Sequence, residues 1–431
     1  MRVGERWFGK FLVRAMAALS AVVYVFLIMW SYKYAVVPRY SYMGYVFYEK
    51  DALNYLMVYL FAFLGALLLP ERIKTPSQLI GTLLFIFVYV PALAVSTMSL
   101  DLMEQQFIEL YLSLFFALAA FFVLIQIPLP RKEFPCLAIS KNLWVYILIK
   151  LSLLFFAYLI IRFGVNTPPS ILDPYDVRLA ARDYGAFAGY ILRLLGNVLG
   201  PTVFIAGLVS RRTLWTLIGL LIVLGVYSFD GTKSTLLMPM MIVFIWTALK
   251  LATGRPGLLV AGFAIFFGVL SWMDEILGGT IIGSMFVRRL VITPGLLTGF
   301  YYEYFSNHPP FIWSHSILRF FLDSPYLATP PFVIGLEYFG SDTVSANANL
   351  WADGFANAGL SGPLLTSVLA AFFFRFVDWL AMGRSTLGML IWVAPSFALI
   401  NSALLTAILT HGLFATMLLL ITVPRRFCRG D

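Results

Sequence analysis

Charge is what this chain most lacks. Asp, Glu, Lys and Arg together make up 12% of its 431 residues, about half the share of a soluble domain, while hydrophobic residues reach 61%. That balance excludes a water-soluble globule. Cysteine is nearly absent too: Cys136 and Cys428 are too few for a disulfide framework and lack metal-ligand spacing. Both fall in loops that the topology below assigns to the cytoplasm, where thiols stay reduced. No basic run interleaved with aromatics exists, so the formal charge of +9 does not indicate nucleic acid. Missing as well are an internal repeat of the kind many transporters show and any low-complexity tract.

What is present is a series of apolar runs of about 18 or more residues, which fits bilayer-spanning helices better than the alternation of a membrane β-barrel. Candidate spans lie near 11–32, 53–70, 79–98, 107–127, 143–163, 187–209, 213–228, 235–252, 257–272, 360–380, 386–401 and 404–423, about twelve in all. The first follows Arg2, Arg6 and Lys10 and is too long for a signal-peptide core, so it reads as an uncleaved span. Connections on one side carry Arg72 and Lys74; Arg131, Lys132 and Lys141; Arg211 and Arg212; Lys250 and Arg255; Arg384; and Arg425, Arg426 and Arg429. By the positive-inside rule these are cytoplasmic, with both termini inside. The expected fold is therefore an all-α polytopic protein forming one integral-membrane domain over residues 1–431, in contact with membrane lipids throughout.

Two outer segments break the pattern of short loops, 164–186 and 273–358, and long loops of this kind are usually functional or disordered. The second contains FYYEYF, FIW and ILRFFL, apolar surface that must pack on something. Short amphipathic or re-entrant helices on the outer face are expected there. Against the inside rule, these segments hold Arg178 and Arg182, then Arg288, Arg289 and Arg319, with Lys233 in the short outer loop FDGTKS between them. Guanidinium forks bind phosphate bidentately, and several together can hold a diphosphate. Pairing with Asp173, Asp176, Asp183, Asp274 or Glu275, or contact with lipid headgroups, is the competing account. Within the spans, Lys150, Arg193, Arg375 and Asp378 must snorkel, pair or line a wet cavity. Arg375 and Asp378 are one turn apart and can pair; Arg193 lies near the outer end of its span and can join a phosphate site.

In DPYDVRLAARDYGAFAG, Arg178 stands eleven positions before Gly189, and in RRLVITPGLLTG Arg288 stands eleven before Gly299. This pair of Arg-ten-Gly segments, in the two long outer loops of a chain of about a dozen spans, resembles the bacterial O-antigen polymerases, the Wzy-type repeat-unit polymerases. NANLWADGFANAGLSG, with Asn349 followed at set intervals by Gly359 and Gly362, is similar to a signature of the related O-antigen ligases. There the asparagine is preceded by histidine; here it is preceded by Ala348, which counts against a ligase.

The resemblance implies a metal-independent, GT-C-like membrane glycosyltransferase without a cofactor, acting at the periplasmic face of the bacterial inner membrane. Its donor and acceptor would be undecaprenyl-diphosphate-linked oligosaccharides, and a chain-length-regulating membrane protein is a possible partner. Such a reaction needs cations on the departing diphosphate, a base for the acceptor hydroxyl, and aromatic faces for sugars. Glu303, Asp353, His308 and His315 are the base candidates, although Asp353 could simply cap or pair and His315 could bond backbone. Tyr301, Tyr302, Tyr304, Trp313 and Trp351 could stack on sugars or anchor at the interface. Arg178 and Arg288 are expected at the phosphates of donor and acceptor, with Arg182, Arg193, Lys233, Arg289, Arg319 and Asn349 as further binding candidates. A flippase would instead line a central cavity with its charges and show repeated halves.

Overall fold

The computed structural model describes residues 2–130, 132, 134, 135, 139–171, 173–424 and 427; for residues 2–11 and Ser385 the description is of the backbone alone. Cys136 and Cys428, with Arg131, Arg425, Arg426 and Arg429 of the basic loops, lie outside the described residues. Among the described residues, all regular elements of any length are helical, and nine stretches are long and apolar enough to cross a membrane. In chain order the helices are α1 (Leu12–Met43), α2 (Ala52–Leu67), α3 (Pro76–Ser99), α4 (Glu104–Leu124), α5 (Lys141–Phe163), α6 (Tyr175–Arg182), α7 (Gly185–Val209), α8 (Thr213–Asp230), α9 (Lys233–Leu251) and α10 (Pro256–Ile276). A π-helical stretch, Gly283–Ile292, runs on into α11 (Thr293–Asn307), and α12 (Pro330–Phe339), α13 (Leu350–Ala358) and α14 (Gly362–Ala381) follow. This is a polytopic all-helical protein. The expected span at 53–70 forms a helix of 16 residues, roughly 24 Å against a hydrocarbon core of about 30 Å. Those at 386–401 and 404–423 form a chain of short helices instead of two continuous ones.

Helix α3 is the axis of the bundle, its apolar window wholly buried, as befits a segment that is hydrophobic on every face. The other long helices leave one side of their apolar surface outward, the side a bilayer covers. Two ends of the bundle are fixed by polar contacts. At one end Tyr48 N donates to Met98 O (2.8 Å) and Arg39 Nη2 to Glu275 O (2.8 Å). At the other, Ile73 N donates to Gly254 O (2.7 Å), Ser77 N donates to Asp378 Oδ1 (2.9 Å), and Arg375 pairs with Asp378 at 3.1 Å. The one-turn pairing expected for those two charges is present, and Ser77 shares the carboxylate.

The outer segment 273–358 departs from a surface loop at both of its ends. Residues 281–307 form a continuous helical run whose Gly295 and Gly299 lie against Pro91 and Ser96 of α3. Residues 350–358 do not lie on the surface either. Helix α13 dips back into the bundle beside α14 as an antiparallel hairpin: Trp351 Nε1 donates to Ser367 Oγ (2.8 Å), and the Gly354 backbone touches that of Gly362 and Pro363. Gly359, with φ +55°, makes the bend. Helix α13 is thus short, as expected for this segment, but it is enclosed in the bundle instead of lying on a face of it.

Candidate functional site

Four cations from three separate parts of the chain converge at the end of the bundle marked by Tyr40 and Glu275. Helix α6 carries Arg178, whose Nε donates to Gly231 O at 3.0 Å. Gly231 is able to present that carbonyl because it adopts φ +59° between α8 and α9, a conformation costly for other residues. Thr232 N donates to Asp230 Oδ1 (2.8 Å) and completes the turn, and Lys233 opens α9 directly after it. Arg288 and Arg289 come from the π-helical stretch, a rare geometry that recurs at functional sites. Lys233 feels the charges of Arg289, Arg178 and Arg288 together.

Arg288 is buried. Its guanidinium lies 4.5 Å from the centroid of the Tyr40 ring, Nη2 donates to Ser284 Oγ (3.0 Å), and Nε has no partner. Arg289 points to more open space and, with Lys233, Tyr40, Gly279, Thr280, Ile281, Ser284 and Met285, lines a cavity of about 310 Å³. Desolvation pushes the Arg289 pKa down, and the charges of Arg288 and Arg178 push it further the same way. Among the described residues, no Asp or Glu oxygen lies within 4.0 Å of a side-chain nitrogen of these four cations. Asp274, beside the cavity, is buried and accepts from Thr280 N and Thr280 Oγ1. A cavity lined by two cations, with Arg178 and Arg288 close enough to act on both and no carboxylate paired to any of the four, suits an anion of two or more charges.

The other candidates are distributed elsewhere. Arg182 is exposed on α6. Arg193 is exposed and interacts with Asp230. Arg319 lies over its own neighbour Phe320 at 4.7 Å, in an exposed turn. Tyr301, Asn349 and Trp351 have no free face. Tyr301 is buried with its hydroxyl donating to Ala346 O (2.8 Å); Asn349 caps α13, accepting from Trp351 N and Ala352 N (both 3.0 Å); and Trp351 is enclosed between α3 and α14. Asn349 and Trp351 are enclosed because the hairpin that was expected to lie outside is packed inside, and Tyr301 is enclosed because α11 packs against α3 and α13. Asp353 shares that fate: it is buried and accepts from Asn357 Nδ2 (3.0 Å).

Glu303 is half-buried and accepts from the Tyr338 hydroxyl (2.9 Å). Burial pushes its pKa up, the Tyr338 bond opposes that, and Asp101 and Glu337 add to the rise. It stands fifteen residues along a helical run from Arg288, roughly 20 Å at helical rise. His308 stacks on Tyr304 at 4.1 Å. His315 packs edge-on against Phe311, its Nδ1 is buried without a partner, and burial pushes its pKa down. The carboxylates that do share the cation cluster are Asp173, beside Lys233, and Asp230, beside Arg178 and Arg193. Asp230 and Gly231 were within sight in FDGTKS, three and two positions before Lys233, a residue already singled out. Tyr40, 248 residues before Arg288, carries no local signal.

Fold and site together define a class: a polytopic helical membrane protein with a cavity lined by two cations, Lys233 and Arg289, at one end of its bundle. No protein-family model matches the chain, and no curated protein or solved structure is significantly similar to it.

Proposed function

We propose that the chain is a GT-C-like glycosyltransferase that polymerises undecaprenyl-diphosphate-linked oligosaccharides at the periplasmic face of the bacterial inner membrane. The observation that carries this reading is the meeting of Arg178 with Arg288, Arg289 and Lys233, since it makes one site from the two Arg-ten-Gly segments. One diphosphate, that of the donor, occupies the cavity, with both segments holding it in place of the separate donor and acceptor sites expected from sequence. The acceptor hydroxyl bonds to the donor's anomeric carbon as the bond from that carbon to the phosphate oxygen breaks. The cations take up the charge left on the diphosphate, and the hydroxyl proton passes to a carboxylate.

That carboxylate has to lie near the cations, which favours Asp173 or Asp230 over Glu303 and the enclosed Asp353. One of Asp173→Asn and Asp230→Asn is expected to lower turnover about 100-fold while donor still binds, with Glu303→Gln and Asp353→Asn close to wild type. The opposite pattern in a purified assay with lipid-linked substrate would move the reacting centre to α11. In the same assay a chelator should leave the rate unchanged, because guanidinium groups do the work of a metal on the leaving group; strong inhibition would refute this.

The reading as a whole is tested by deleting the gene in its host. A polymerase loss leaves surface core capped by a single repeat unit. A glycan-free core would point to a ligase or a flippase.

A further inference from the structure

We propose that the turn joining α10 to the π-helical stretch is where the apolar chain of a membrane-borne diphosphate leaves the cationic cavity. This rests on the reading of that cavity as a diphosphate site. The walls are unequal in chemistry. Lys233, Arg289, Thr280 and Ser284 supply charge and hydroxyls, whereas on the side of the turn the cavity is lined by Ile281, which is itself exposed. Beside it Ile276 and Leu277 are each 62% exposed and Ile282 is 52% exposed. A soluble phosphate ester such as a sugar nucleotide would be followed out of the cavity by polar groups, which branched aliphatic side chains cannot hydrogen-bond. An isoprenoid chain is followed by hydrocarbon, and burying it there is favourable in proportion to the area covered.

The turn is held in shape from both sides. Asp274 accepts from Thr280 N and Oγ1, Thr280 Oγ1 accepts from Gly283 N (2.8 Å), and Arg39 ties the turn to α1 through Ala35 O (2.7 Å) and Glu275 O (2.8 Å). Gly278 and Gly279, at φ +71° and +109°, let the backbone fold back over two residues, so that no Cβ stands between the cavity and the apolar rim. A preformed rim of this kind binds without first being ordered. It also places the head of the lipid among the cations while its tail stays at the face of α10, where Trp272 and Met273 are exposed.

The test uses the full-length protein in phosphatidylcholine nanodiscs and two probes, inorganic diphosphate and a 55-carbon polyprenyl diphosphate. The double variant Leu277→Asn, Ile282→Asn should weaken binding of the polyprenyl diphosphate at least tenfold and leave that of inorganic diphosphate unchanged. Ile265→Asn, an exposed position on α10 about three turns before Ile276, should alter neither. Arg289→Ala should weaken both probes. Unchanged polyprenyl binding in the double variant, with both probes weakened by Arg289→Ala, would overturn the chain path and leave the cavity reading standing. Unchanged binding of both probes in Arg289→Ala would overturn the cavity reading itself. As a readout that does not depend on the double variant folding, a benzoylphenylalanine at position 282 should crosslink to the polyprenyl probe, and one at position 265 should not; equal crosslinking at the two would also overturn the path.

Discussion

An Arg178→Ala protein is expected to accumulate at its normal level and to make no polymer. Arg178 belongs to a short surface helix, and its side chain donates to Gly231 O, a contact on which little of the fold depends. On the proposed reading it contributes charge and a planar fork beside the cavity. Removing one preorganised group that stabilises a leaving oxyanion costs about 10²–10³ in rate, enough to take a chain of repeated transfers below detection. Arg178→Lys should recover part of the activity, since the charge remains but neither the fork nor the Nε geometry does. Arg288→Ala should be as severe; because its side chain is also buried against Tyr40, its readout needs a melting temperature alongside. Normal polymer length from both alanine variants in the host would reduce these arginines to structural residues.

Gly362→Val is expected to have the largest effect on the fold itself. A Cβ at Gly362 would stand 1.8 Å from Gly354 O, and one at Gly354 would stand 2.6 Å from Gly362 C. Both obstructions are backbone, which cannot swing aside as a side chain would. Overpacking ordinarily costs about 1–3 kcal/mol, and here the hairpin must open and take the Trp351–Ser367 bond with it. The expected result is loss of monodisperse protein on gel filtration in detergent. A Gly362→Val protein that purifies with an unchanged melting temperature would contradict the hairpin packing.

How much of this was legible in sequence differs by element. Apart from the C-terminal end of α1, which runs on to Met43, each long apolar run could be placed to within a few residues, because the transfer of side chains into hydrocarbon is a sum over local positions. Residues 350–358 misled for the same reason. WADGFANAG is too short and too mixed in polarity to read as membrane-embedded, yet its small residues allow two backbones to touch, and Asn349 and Asn357 satisfy the polar groups within it. Asp353 thus looked like an outer-loop carboxylate and is an enclosed one. Arg178 and Arg288 were visible as bases in segments that the loop charges assign to the disfavoured side, but 110 positions separate them.

By itself the sequence determined that the protein is helical and polytopic, where its long apolar segments run, and which cations lack a local reason to be where they are. All of that follows from composition and periodicity within windows of about twenty residues. Only the tertiary structure decided that Lys233 and Arg289 line one cavity with Arg178 and Arg288 near enough to act on them, that Tyr40 lies against Arg288, and that α13 is turned inward. Those facts depend on contacts between distant segments, and such contacts are set by how close particular backbones can approach, which a single segment's pattern does not encode.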